Sequence, residues 1–128
     1  MPRPTPSRPA LPGEPLHGLA AALARLEHDL VLVRAEPWRA PRTARLLEEG
    51  VAKMAKKVGE EAIELALDAV AGNRNSAIGE TADLLYHLVV LVDALGIDWG
   101  EVAEELERRR AKLGIAEKLP KGAIEPAR

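Results

Sequence analysis

Residues 78–95 read IGETADLLYHLVVLVDAL, apolar almost all the way round a helical wheel. A helix of that character is buried in a bundle, so the rest of the chain has to cover it. Within it Glu80, Asp83 and His87 stand at i, i+3 and i+7, within about 60° of one another. A carboxylate removed from water is costly unless it is paired or bound to a metal. Residues 77–100 contain neither lysine nor arginine, so the helix holds no counter-charge of its own.

The stretch just upstream adds acid instead of base. Residues 57–71 read KVGEEAIELALDAVA. At about 100° per residue, with Glu60 as zero, Glu64 falls near 40°, Lys57 near 60°, Asp68 near 80° and Glu61 near 100°. The opposite side holds Val58, Ala62, Leu65, Ala66, Ala69 and Val70. Alone, this helix is equally well explained by a solvated acidic face. Aligned with the apolar helix, it brings Glu61 and Glu64 against Glu80 and Asp83, and a divalent cation stabilises such a set of like charges. Oxygen-only donors indicate Mg²⁺ or Mn²⁺ over zinc. A solvated acidic seam is the competing account.

The spacing Glu-Glu-x-x-Glu, a gap, then Glu-x-x-Asp resembles the motif of the all-α MazG-like nucleoside triphosphate pyrophosphatases. The longer strings KVGEEAIE and ETADLLYHLVVLV resemble the phosphoribosyl-ATP pyrophosphatase branch, which belongs to histidine biosynthesis. The resemblance runs over about residues 19–110. Glu-x-x-Glu alone is common on helices, whereas KxGEExxE with ExADLLYH at this distance is specific. The resemblance implies a four- to five-helix all-α bundle and the same four metal ligands. It also implies Mg²⁺-dependent hydrolysis of phosphoribosyl-ATP to phosphoribosyl-AMP and pyrophosphate. Four neighbouring helices from one short chain barely cover residues 78–95. A homodimer with its site near the subunit interface is therefore expected, as the resemblance also implies.

Several residues around the four carboxylates have two accounts each. Lys57, one turn before Glu61, is placed to neutralise transferring phosphate oxygens or to pair with Glu61 at i,i+4. Glu60 either orients the attacking water, supports the ligands from behind, or is an exposed helix residue. His87 is a candidate for proton transfer at the substrate, against a core histidine bonded to a carboxylate. Gly59, costly inside a helix, fits close packing or substrate approach. Asp68 faces solvent or serves a second metal. Tyr86 packs at an interface. Trp38 and Trp99 are structural, although Trp38 near Arg39 and Arg42 offers a stacking face for a base.

Where the family carries a Ser-Tyr-Thr triplet, this chain has Pro41-Arg42-Thr43, and only Thr43 matches. Where the family's first helix ends in basic residues, the chain offers Arg34 and Arg39. Arg34 and Thr43 are thus candidate substrate contacts. The departure motivates one alternative, a house-cleaning pyrophosphatase for modified nucleoside triphosphates. A non-catalytic helical scaffold is a third, which the intact acidic set argues against.

The remaining features set bounds. The 128 residues suffice for one domain, expected over 16–114 between a proline-rich arm, 1–15, and a loose tail, 115–128. Aromatics are 2% and phenylalanine is absent, so leucine, valine and alanine must fill the core, a palette that favours helices. A net charge of −2 argues against a nucleic-acid polymer as partner. Without cysteine there is no thiol nucleophile. No membrane span or signal-like apolar run stands out, so a cytoplasmic protein is expected. Leu19, Leu23, Leu26, Leu30 and Val33 predict a first amphipathic helix that ends before Pro37. After a turn over 36–41, Thr43 caps a short helix through Glu49, and Gly50 ends it. The acidic helix follows over 51–71, then a loop over 72–75. Asn75 or Ser76 caps the apolar helix to Leu95. Asp98 and Glu101, at capping-box spacing, open a last helix to about Leu113 with Val102, Leu106 and Leu113 on one side.

Overall fold

The computed structural model describes residues 18–113. The arm and the tail expected at the two ends fall outside them. Five α-helices and one 3-10 turn make up the described chain: α1 Gly18–Ala35, the turn Pro37–Arg39, α2 Pro41–Glu49, α3 Val51–Ala71, α4 Arg74–Ala94 and α5 Trp99–Leu113. No strand occurs among the described residues, so the fold is the all-α bundle expected. The described residues divide into two compact units, one up to Leu91 and one from Val92.

In the first unit, α1 buries Ala21, Leu30 and Val33 and stops where Pro37 forbids another turn. α1 and α2 pack on each other and on the 3-10 turn between them. α2 starts at Pro41, with Ala40 as its flanking residue at φ −147°, not at Thr43. Proline fits the first helical position because its missing N–H has no partner there anyway. Thr43 lies inside the helix, and its hydroxyl bonds Tyr86 of α4.

Gly50 forms the corner between α2 and α3. Its N–H bonds the Leu46 carbonyl of α2, and its own carbonyl receives the Met54 N–H of α3. The backbone there has φ 91° and ψ −177°, a region open essentially to glycine alone.

α3 ends on a left-handed glycine. Gly72 N–H bonds Ala69 O and Asn73 N–H bonds Asp68 O, the double closure that satisfies the last carbonyls. α4 begins at Arg74, earlier than expected, because the Asn73 carbonyl takes the Ala77 N–H. The Ser76 hydroxyl instead donates to Asp68 across the hairpin, at 2.6 Å.

The core of this unit is small: Ala21, Leu30, Val33, Leu46, Met54, Val89 and Val90. Val89 and Val90 are fully enclosed, as the apolar run of α4 requires. Its opening turns are not, and Ile78 is 55% exposed. On α3, Ile63, Leu67 and Val70 form an exposed stripe at i, i+4 and i+7.

The second unit comprises the end of α4, a glycine turn and α5. Gly96 repeats the left-handed closure, with Gly96 N–H to Asp93 O and Ile97 N–H to Val92 O. The Glu101 carboxylate accepts the Asp98 N–H at 2.9 Å, as the capping-box spacing predicts. Val102 is half-buried and Leu106 exposed. No described helix is long and apolar enough to cross a membrane.

Candidate active site

The short 72–73 connection folds α4 back along α3. Glu64 then stands beside Glu80 and Glu61 beside His87, a register in which indices rise on one helix as they fall on the other. One carboxylate oxygen from each of Glu61, Glu64 and Glu80 lies within 4.8 Å of the other two. Oε2 of Glu61 and Oε2 of Glu80 are buried and accept no hydrogen bond. The Glu80 carboxyl is pushed up to about 7, first by its hydrogen bond with Glu61, then by burial, then by Glu64. Carboxylates this close cannot all ionise freely, and a shared proton relieves them. A divalent cation does the same more completely. The donor set, all oxygen with two buried oxygens unsatisfied, fits a hard ion of that kind.

Asp83 is exposed and is not one of the three converging carboxylates. It lines an adjoining cleft of about 640 Å³ together with Glu61, Lys57 and His87. Lys57 pairs with Glu60 at 3.4 Å, not with Glu61. Lys56 approaches the other oxygen of Glu60 at 3.7 Å. The Lys57 hydrogen bond, above all, lowers the Glu60 pKa, so this carboxylate stays ionised. His87 Nε2 lies 3.9 Å from Glu61 Oε1, beyond hydrogen-bond length. Its Nδ1 is buried and unbonded. Burial, the largest influence, lowers its pKa against the pull of Glu61, so the ring is neutral at pH 7. It meets the Tyr86 ring edge to face, with centroids 4.9 Å apart.

The substrate-side candidates on the first helices are more scattered. Arg34 is exposed in the last turn of α1 and does not line the cleft. Arg39 is held by Glu36. Trp38 is 73% exposed. Thr43 reaches the cleft only through Tyr86, whose hydroxyl is 2.6 Å away. Sequence reasoning did not bring Arg45 and Lys53 to the site at all, and it gave Arg42 no more than a neighbour's part. All three line the cleft. The i, i+4, i+8 series Lys53, Lys57, Glu61 was the signal that put Lys53 on the site's face.

Residues 23–110 match the phosphoribosyl-ATP pyrophosphohydrolase family. Proteins named phosphoribosyl-ATP pyrophosphatase 2 from Rhodopseudomonas palustris and Bradyrhizobium diazoefficiens are 49% and 45% identical over 106 residues. The alignments cover 83% of this chain and 81% and 79% of theirs. A phosphoribosyl-ATP pyrophosphatase from Methylobacterium radiotolerans is 58% identical over 76 residues, 59% of this chain and 71% of its own.

Proposed function

Since the chain belongs to the phosphoribosyl-ATP pyrophosphohydrolase family, we propose that it hydrolyses the α–β phosphoanhydride of phosphoribosyl-ATP, releasing pyrophosphate and phosphoribosyl-AMP, with a divalent cation held by Glu61, Glu64, Glu80 and Asp83. The observation that carries the metal assignment is the convergence of three carboxylates within 4.8 Å. Asp83, one turn beyond Glu80 on α4, is the fourth donor of the set. Bound there, Mg²⁺ (or Mn²⁺) supplies positive charge against the phosphate oxygens as the anhydride breaks.

The chain's own residues supply the rest. Lys57 lies at the cleft wall and neutralises charge on the transferring oxygens. Glu60, kept ionised by Lys57, accepts a hydrogen bond from the attacking water and orients it. A neutral His87 offers the substrate an uncharged hydrogen-bonding edge. Thr43 steadies Tyr86 at the same wall, whereas Arg34, which does not line the cleft, takes no part in this reading. The proposed reaction needs no protein nucleophile: water attacks the phosphorus directly and pyrophosphate leaves.

The exposed stripe Ile63, Leu67 and Val70, with Ile78, supports a homodimer that covers the hairpin. Its nucleotide substrate is a cytoplasmic metabolite, and that is where we place the enzyme. Pyrophosphate release from phosphoribosyl-ATP, measured beside a panel of nucleoside triphosphates with and without Mg²⁺, tests the assignment. Faster turnover of the panel would replace it with a house-cleaning pyrophosphatase. Binding of Mg²⁺ without turnover of any nucleotide would leave a scaffold.

A further inference from the structure

Four cations line the cleft beside the carboxylates: Arg42 and Arg45 from α2, Lys53 and Lys57 from α3. Two are engaged. Arg45 Nε is 2.9 Å from Glu49 Oε1, and Lys57 is 3.4 Å from Glu60. The side chains of Arg42 and Lys53 make no hydrogen bond or ion pair with any described residue. Lys53 stands two turns before Glu61 on the same face of α3, about 12 Å along the helix axis. Arg42 joins it from the first turn of α2, a helix end that no side chain caps. Lys53 reaches Glu60 only through space, as the weakest of the three lysines that hold that carboxylate ionised, so both side chains are open to an anionic ligand.

A phosphoribosyl-ATP molecule is anionic at both ends. Its triphosphate goes to the carboxylates and their cation. The phosphate on its phosphoribosyl group, separated from the triphosphate by two sugars and a base, needs a second positive site. We propose that Arg42 and Lys53 form that site, so that the cleft selects a nucleotide with phosphate at both ends over an ordinary one. This rests on the hydrolytic function above. The guanidinium of Arg42 suits a phosphate because its fork donates two parallel hydrogen bonds, and Lys53 adds a point charge. The rival occupant is the departing pyrophosphate itself, which every triphosphate would present to the same two cations.

Binding of phosphoribosyl-AMP, AMP and pyrophosphate to the Mg²⁺-loaded full chain, by calorimetry, separates the two. AMP lacks the second phosphate. The unaltered chain is expected to bind phosphoribosyl-AMP at least about tenfold tighter than AMP. Arg42→Gln/Lys53→Gln should bring the two ligands within about twofold, and Arg42→Lys should retain part of the preference. Equal affinities in the unaltered chain, or a preference that survives the double substitution, would overturn the proposal. So would a loss seen only with pyrophosphate. Circular dichroism confirms folding, and the single variants Arg42→Gln and Lys53→Gln give the same comparison if the double variant unfolds. Absence of turnover on phosphoribosyl-ATP would sink the hydrolytic assignment while the binding ratio still decided this one.

Discussion

Adding Mg²⁺ to the metal-free chain tests the carboxylate cluster most directly. A cation that binds only the folded chain stabilises it by RT ln(1 + [L]/Kd), about 2.7 kcal/mol at 100 times the dissociation constant. A folded part of roughly 100 residues loses about 0.2 kcal/mol of stability per degree near 60 °C, so Tm should rise by about 13 °C. The pH dependence makes the test sharper. The Glu80 carboxyl titrates at about 7 in the folded chain, against an ordinary 4.5. Between those values the folded, metal-free chain binds more protons than the unfolded one. The Glu80 contribution to stability therefore falls as pH rises from about 4.5 to about 7, against an opposite contribution from His87, whose folded pKa lies below its ordinary value. Mg²⁺ has to displace that proton. If one proton leaves, the apparent affinity should be about thirtyfold weaker at pH 5.5 than at pH 8. Thermal melts at matched ionic strength read both effects. A gain of equal size at the two pH values, or one that Na⁺ reproduces, would refute a metal site and leave an acidic surface. Glu80→Gln should remove that falling contribution from the metal-free melt and leave the opposite one from His87.

Glu64→Gln and Asp83→Asn should each lose nearly all turnover, while the metal-free Tm stays level or rises because a repelling charge is gone; activity retained in both would remove them from the ligand set. A double-mutant cycle of Thr43→Val and Tyr86→Phe should return a coupling of about 1 kcal/mol in urea melts, the ordinary worth of one hydrogen bond, and a coupling near zero would show that α2 is held to α4 by packing alone. Gly50→Ala should cost about 1–3 kcal/mol, because an alanine resists φ 91° with ψ −177°; an unchanged urea midpoint would mean that the corner adopts another backbone geometry. Ile63→Asp/Leu67→Asp should shift sedimentation from dimer to monomer, and a wild-type chain that already sediments as a monomer would dismiss the dimer.

What could be read from the sequence had a local cause. Glycine and proline punctuate this chain heavily, so the ends of α1, α2, α3 and α4 fell within a residue of Ala35, Glu49, Ala71 and Ala94. The 3.6-residue period placed Glu61, Glu64 and Glu80 on facing surfaces, because a two-residue connection leaves the hairpin little choice. Starts were less legible where a side chain had two possible partners. Thr43 and Ser76 are both good caps by type, yet their hydroxyls bond Tyr86 and Asp68. A cap and a cross-helix bond use the same oxygen, and only the packed chain decides between them. The cleft was harder still. Arg42 and Tyr86 lie more than 40 residues apart in sequence, on different helices, and no period along one helix encodes that meeting. The lysine pair at Lys57 was misjudged by one position, because Glu60 and Glu61 are both within its reach.

The Gly50 corner puts the two halves of this cleft on separate pieces of backbone. Every carboxylate proposed to hold the cation rides on the α3–α4 hairpin, whereas Arg42 and Arg45 ride on α2, which contributes none. A relative can thus rewrite residues 41–45 and greet a different nucleotide without disturbing the groups that break the anhydride. Lengthening α2 by one residue would be another matter: it would swing its outward side chains by about 100° and take both arginines off the wall together.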